Sequence, residues 1–363
     1  MTEKGTPKYY FLMEEIKQDI LTGKYKSGDR LPSENQLSKN YQISRHTVRK
    51  ALAMLINEGY IIAEHGKGTY CSERIRYTGQ SKNIAVITTY ITDYIFPNLI
   101  QGIDNVLTEN GYSIILKSTN NSRVREGKCL EDILTKDIDG LIIEPSKSEI
   151  YCRHPHFYEK LDNYGIPYVF IQGIYPQMLD KPNVRMNDYQ GGYELTKYLI
   201  YLGHQHIAGI FKVDDIQGKE RHKGYVKALQ EAGRPYNPDM VLWFHTEDRT
   251  ILPVSWVANR IKQKISLDAI VCYNDQIAVE IMKSLAALHI KVPEDISITG
   301  YDNSFIAQSE LTKLTTIAHP QKELGELAAT LLLDLIKGKK EIKTQYLMEP
   351  QLIKRTSCKK RND

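Results

Sequence analysis

Apolar residues recur along this chain in changing rhythms, and the changes divide it. Over residues 8–22, Leu12, Ile16 and Ile20 fall four apart, which predicts an amphipathic helix. Ser33 followed by Gln36 is a capping-box start for a second, short helix with Leu37 and Tyr41 on its apolar face. Residues 40–43 read as a turn and Ser44 as a further N-cap. From there to about Glu58, Val48, Ala51, Leu52 and Leu55 share one side of a third helix, and Gly59 ends it. Residues 60–63 and 69–70 read as a hairpin whose tip is Gly66-Lys67-Gly68. Residues 73–83 are polar, lack a period and read as a linker.

Beyond the linker, short apolar runs alternate with helical patterns. Strands are expected at 84–88, 113–117, 140–143, 168–171, 184–186, 207–211, 240–244, 269–272, 296–300, 314–317, 342–347 and 352–353. Helices are expected at about 97–110, 124–136, 154–164, 190–202, 218–232, 254–264, 275–288 and 324–337. Such alternation means parallel sheets with right-handed crossovers. Two runs of about six strands suggest two similar α/β subdomains with a cleft between them. The predicted organisation is a head over 1–72, a linker over 73–83 and a body over 84–363.

Charge sharpens this division. Residues 1–80 hold 13 Lys and Arg against 9 Asp and Glu, and the rest of the chain balances at 35 against 35. The whole net charge of +4 therefore sits on the head, which suits a polyanion-binding module on a neutral body. On the third helix Arg45, His46, Arg49 and Lys50 oppose the apolar face. A helix fits the DNA major groove with its N-terminal residues at the base edges, and arginine can grip guanine with two hydrogen bonds. A solvated charged face is the alternative. The small, basic hairpin tip favours DNA, because it can lie on a phosphate or enter a minor groove.

Ligands of parallel sheets lie off the carboxyl ends of the strands. The polar residues there are Tyr90, Asp93, Tyr94, Glu144, Gln172, Lys212, Asp214, Asp215, Asn274, Asp275, Asp302 and His319, and Arg221 opens the helix after the sixth strand. A sugar wants acceptors, amides and a bidentate arginine at its rim and an aromatic ring on its face. This set supplies each. Asp275 or Asn274 could equally cap the helix that follows, and Asp188 in NDYQGG looks structural.

The run LPSENQLSKNYQISRHTVRKALAMLINEGYIIAEHGKGTY resembles the winged-helix head of the gluconate-repressor (GntR-type) family of bacterial transcription factors through its PSE, SRxTVRxAL and GxGT elements. The resemblance implies DNA contacts by Lys8, Ser33, Arg45, Thr47, Arg49 and the wing residues His65, Gly66, Lys67 and Gly68. Residues 84–320, with FPNLIQGI, DGLIIEP, GIPYVFI, NDYQGG, LGHQHIAGI, CYNDQIA, VPEDISITGYDNS and LTTIAHP in order, resemble the effector domain of the lactose/galactose-repressor family, relatives of the periplasmic sugar-binding proteins. That likeness implies sugar contacts by Arg221, Asn274, Asp302 and Glu144, and by Tyr90, Asp93, Tyr94, Gln172 and His319. TTYITDYIFP, STNN and IEPSKS are similar to arabinose-responsive members, implying L-arabinose as effector and release of DNA when it binds. The fold class so implied is an α+β winged helix-turn-helix domain followed by a two-subdomain α/β, periplasmic-binding-protein-like body. Where many family members carry Asp-Asn, this chain has Asn187-Asp188, so no contact is carried over there. The linker also lacks the hinge-helix signature usual beside such a body.

The functional expectation is a sugar-responsive repressor, a homodimer on operator DNA with no cofactor and no metal. An enzyme is disfavoured by the absence of GxSxG, GxxxxGK[ST], a GxGxxG after a strand, or a paired-histidine metal motif. A transport receptor is disfavoured by the DNA head and by an N-terminus without a signal-peptide core. No run approaches a membrane span. Five scattered cysteines contain no CxxC pair and read as reduced thiols. The expected compartment is the cytoplasm.

Overall fold

The computed structural model describes residues 7–64, 67–72, 81–92, 94–309 and 311–361. The head is built from α1 (Lys8–Leu21), α2 (Glu34–Tyr41) and α3 (Arg45–Asn57), followed by an antiparallel hairpin of β1 (Ile61–Glu64) and β2 (Gly68–Cys71). Local chemistry accounts for each boundary. Ser33 and Gln36 form the reciprocal capping box that starts α2, and the Ser44 hydroxyl accepts the Thr47 amide at the start of α3. Gln42 closes α2 in the left-handed conformation, and Gly59 does the same just past α3. Leu12, Ile16 and Ile20 meet Val48, Ala51, Leu52, Leu55, Tyr60 and Cys71 in a core of the head's own.

The body contains two parallel sheets. The first comprises β3 (Asn83–Thr88), β4 (Ser113–Ser118), β5 (Gly140–Ile143), β6 (Tyr168–Ile171), β7 (Asn183–Met186) and the late β13 (Gln345–Met348), in the order β13-β7-β6-β5-β3-β4. The helices α4 (Phe96–Glu109), α5 (Arg123–Ile133), α6 (Pro155–Asn163) and α12 (Gln321–Ile336) cover it. The second sheet has β8 (Ile207–Lys212), β9 (Val241–Phe244), β10 (Ala269–Cys272) and β11 (Ser297–Thr299), in the order β11-β10-β8-β9. It packs with α7 (Asp188–Tyr201), α8 (Ile216–Glu231), α9 (Leu252–Lys262) and α10 (Asp275–Ala287). A short antiparallel pair, β12 (Thr316–Ala318) with β14 (Gln351–Ile353), lies beside it.

The expectation of two runs of about six strands therefore needs correction. The first lobe has six strands only because the chain returns to it for α12 and β13, and the second sheet has four. The backbone crosses between lobes at about 186–188, 318–321 and 348–351, and these crossings form the hinge. A strand pattern reports burial, not which sheet will receive the strand. Among the described residues no helix is long and apolar enough to cross a membrane.

Close helix packing in the second lobe depends on missing side chains. A Cβ on Gly192 of α7 would meet the carbonyl oxygen of Arg221 in α8, and one on Gly224 would meet that of Tyr189. Gly192→Val should cost at least about 1–3 kcal/mol by forcing these backbones apart. A thermal melt unchanged by that substitution would contradict the packing.

Candidate functional site

Two surfaces bring the candidate residues together. On the head, α3 buries Val48, Ala51, Leu52 and Leu55 and exposes Arg45, His46, Arg49 and Lys50. Lys8 is exposed at the first position of α1. Not every cation points freely outward. The Arg49 Nε donates to Glu34 Oε2 at 2.8 Å, and Lys50 Nζ rests 3.8 Å from the centre of the Tyr9 ring. Lys67 pairs with Glu64 at 3.2 Å. Ser33 and Thr47 are engaged locally, in the α2 capping box and in a 2.8 Å hydroxyl pair with Ser44. Gly68 has φ +128°, and the Arg30 guanidinium packs where its side chain would be. His65 and Gly66 lie outside the described residues. Glu34, Tyr9 and Arg30 were not singled out from the sequence, although Glu34 directly follows the cap in the PSE element.

The second surface is a cavity of about 370 Å³ between the two lobes, off the carboxyl ends of both sheets. Tyr90, Tyr94, Glu144 and Gln172 line it from the first lobe, Arg221, Asn274 and Asp302 from the second, and His319 from the hinge. Asp93 lies outside the described residues. Asp275 is a correction. It is fully buried behind the wall, its carboxylate accepting from the Ser304 amide at 2.8 Å, the Ser304 hydroxyl at 2.9 Å and the Thr316 hydroxyl at 2.6 Å. It lies at the first turn of α10, but the neighbouring Asn274 is the cap, accepting the Ile277 amide at 3.1 Å while still lining the cavity.

Arg221 organises the floor. Its Nε donates to Asp188 Oδ1 at 2.8 Å and its Nη1 to the Tyr273 carbonyl at 2.6 Å, while Nη2 stands 3.8 Å from Asp302 Oδ1. The guanidinium lies 3.5 Å from the centre of the Tyr301 ring. Burial is the strongest single influence and works against this cation, but Asp188, Tyr301, Asp302 and Tyr273 together outweigh it and hold the pKa well above the usual arginine value. Asp188, read from sequence as structural, is the residue that keeps the arginine in place.

The carboxyls behave differently. Burial pushes Glu144 up to about 7, against hydrogen bonds from the Thr89 amide at 2.8 Å and hydroxyl at 2.6 Å. Burial also lifts Asp302 to about 6, with Arg221 opposing. His319 is driven down to about 3 by burial and by the Arg221 charge, so its ring is neutral at ordinary pH. Its Nε2 lies 2.8 Å from Gln172 Oε1, and with that oxygen as acceptor Nε2 carries the proton. The Gln172 amide nitrogen is left as a donor for a ligand.

Beside these, Lys212 bonds Asp215 at 3.0 Å, and Asp215 accepts the Tyr273 hydroxyl at 2.6 Å while capping α8 through the Gly218 amide. Burial opposes the Lys212 ammonium, but Asp215 and Asp214 more than compensate and raise its pKa. Phe96, Phe244, Tyr273 and Arg249 also line the cavity and were missed. The aromatics sit in apolar runs and read as core; only the apposition of the lobes shows that they face a void. The assembled groups are donors, acceptors and rings with the buried cations already neutralised, an arrangement for an uncharged polyhydroxylated molecule. Asp214, His245 and Glu247 bring ligand-type atoms within 4.8 Å of one another. The Lys147 ammonium already serves that spot, 3.3 Å from Asp214 and 2.7 Å from Glu247.

Residues 8–71 match the family described as bacterial regulatory proteins, gntR family, and residues 196–358 match the periplasmic binding protein-like domain. The chain is 40% identical to the arabinose metabolism transcriptional repressor of Halalkalibacterium halodurans, over 96% of each chain. It is 39% identical to the protein of that name from Geobacillus stearothermophilus, over 99% of this chain and 100% of the relative. Among solved structures, the transcription regulator CcpA of Lactococcus lactis superposes with a TM-score of 0.68 at 27% identity, over 76% of this chain and 99% of that one. A LacI family regulator from Enterococcus faecium with bound ribose superposes with a TM-score of 0.65 at 26% identity, over 77% of this chain and 100% of that one.

Proposed function

The chain belongs to the family of the arabinose metabolism transcriptional repressors, a gntR-type head on a periplasmic-binding-protein-like body, and from that premise we propose that L-arabinose is the effector it answers to. It is a sugar-responsive transcriptional repressor and not an enzyme. The observation that carries the proposal is the interlobe cavity, where Arg221, Glu144, Asp302, Gln172 and Asn274 present donors and acceptors around a space edged by aromatic rings. A pentose fills such a site by trading water hydrogen bonds for these. The α3 face, with Arg45, His46, Arg49 and Lys50, would enter the major groove of the operator, and Lys8, Ser33, Thr47 and the wing would position the head on phosphates.

The repressor would act as a homodimer, since two heads double the phosphate contacts and set the half-site spacing. Sugar in the cleft would favour one lobe arrangement and so shift the population whose heads match the operator. Calorimetric titration against a panel of pentoses and hexoses tests the effector. Tight binding of L-arabinose alone is expected; a stronger response to D-ribose would replace it. Gel shifts at two salt concentrations test the head, since binding driven by phosphate contacts must weaken steeply with salt.

The elevated carboxyl pKa values set a pH dependence. Sugar hydroxyls donating to Glu144 and Asp302 favour the ionised forms, so bound pKa values fall below the free values of about 7 and about 6. Binding then releases protons, and affinity rises with pH up to about 7 and levels off above it. Each unit of lowering corresponds to roughly tenfold in affinity. An affinity flat between pH 5 and 8 would contradict hydrogen bonding of the sugar to these carboxylates.

A further inference from the structure

We propose that the turn Thr246–Asp248 together with Arg249 is a clasp that gates movement of the effector into and out of the cavity, a role that rests on the cavity being the sugar site. The hinge crossings follow β7, β12 and β13, whereas β4 and β9 are the edge strands at the far side of their sheets. Asn121 comes just after β4, and the clasp comes just after β9. Contacts between these segments therefore sit at the end of the lever opposite the hinge, where opening moves atoms furthest.

Three contacts cross the cleft there. The Asn121 side-chain amide donates to the Thr246 hydroxyl at 2.7 Å. The Lys147 ammonium donates to Glu247 Oε1 at 2.7 Å and stands 3.3 Å from the buried Asp214. Arg249 Nη1 donates to the Tyr90 hydroxyl at 2.6 Å, with the guanidinium 4.9 Å from the centre of that ring. A stretch of four residues in one lobe thus reaches three separate loops of the other.

The first-lobe side is built to meet it. Asn121 and Lys147 both hold left-handed backbone, with φ of 53° and 50°, and the Asn121 side-chain Oδ1 accepts the Lys147 backbone amide at 2.8 Å. Strained non-glycine residues tied together in this way persist where the surroundings fix them, and they gather at working parts of proteins. Thr246 is in turn anchored by its amide on Asp214 at 3.1 Å. Lobe separation must break these three contacts at the far end, along with the Ile216–Ser148 and Tyr94–Tyr301 bonds nearer the hinge.

The test uses full-length protein carrying Asn121→Ala and Lys147→Met together, leaving Tyr90 and Arg249 intact. Hydrogen exchange without sugar reads the clasp directly. Amides 246–251 should exchange at least roughly tenfold faster, since one charge-assisted and one neutral hydrogen bond are lost together, while β10 amides keep the parental rate. Parental exchange at 246–251 overturns the clasp. Stopped-flow tryptophan fluorescence with L-arabinose then reads gating: dissociation should be roughly tenfold faster in the variant. An equal dissociation rate overturns the gate. If the parental protein does not bind L-arabinose, the effector assignment fails, and the sugar-free exchange experiment still decides the clasp.

Discussion

Arg221→Ala should abolish the response to sugar and lower the stability of the second lobe together. The guanidinium is buried, bonded to Asp188 and the Tyr273 carbonyl and facing Asp302 across 3.8 Å. Removing it leaves two buried carboxyls without their cation, and breaking a buried pair costs about 3–5 kcal/mol. The same change removes the bidentate donor expected at the sugar rim, with about 1.5–3 kcal/mol per charged hydrogen bond. Two such bonds correspond to roughly 100-fold or more in affinity. Calorimetry and a thermal melt measure the two effects separately. Arg221→Lys refines the result: it keeps the charge but not the planar fork, so it should recover more stability than affinity. If Arg221→Ala protein still released operator at the parental sugar concentration, the cavity would not be the sensor.

Arg49→Ala should remove specific operator recognition and leave the fold intact. Its ion pair with Glu34 is well exposed and contributes little to stability. On DNA, a good bidentate contact to guanine gives about 1–3 kcal/mol of discrimination, roughly 5- to 150-fold. Sugar affinity should not change, because the cavity lies in a different unit of the chain. The pair with Glu34 adds a second expectation. Glu34→Gln frees the arginine yet leaves it unoriented, so operator affinity should fall by less than in Arg49→Ala. Competition gel shifts with operator and unrelated duplex measure both. Equal preference for operator in parental and Arg49→Ala protein would show that α3 does not read it.

Much of this was legible in the sequence because it is local. The capping box of α2, the Ser44 cap of α3, the four-residue steps of Leu12, Ile16 and Ile20, and the apolar face of α3 each follow from interactions a few residues long. The elements lie where the periodicity put them, usually within a few residues. Tyr90, Tyr94, Glu144, Gln172, Asn274, Asp302 and His319 could be marked because parallel strands put their carboxyl ends on one edge. Asp275 could not be separated from Asn274, since the residue after a strand meets the cavity or the interior according to one step of backbone rotation. Asp188 read as structural because its partner Arg221 is 33 residues away.

The sequence alone determined a cationic head that reads a polyanion, a neutral α/β body and the set of strand ends where a ligand can sit, because helix period, strand burial and charge balance are properties of short segments. Only the tertiary structure decided that β13 returns to the first sheet, that Asp188 holds the arginine, that Phe96, Phe244 and Tyr273 face a void, and that residues 246–249 bridge the lobes. These facts depend on distances between residues tens to hundreds of positions apart, set by how two sheets meet across a hinge, and no local pattern records that meeting.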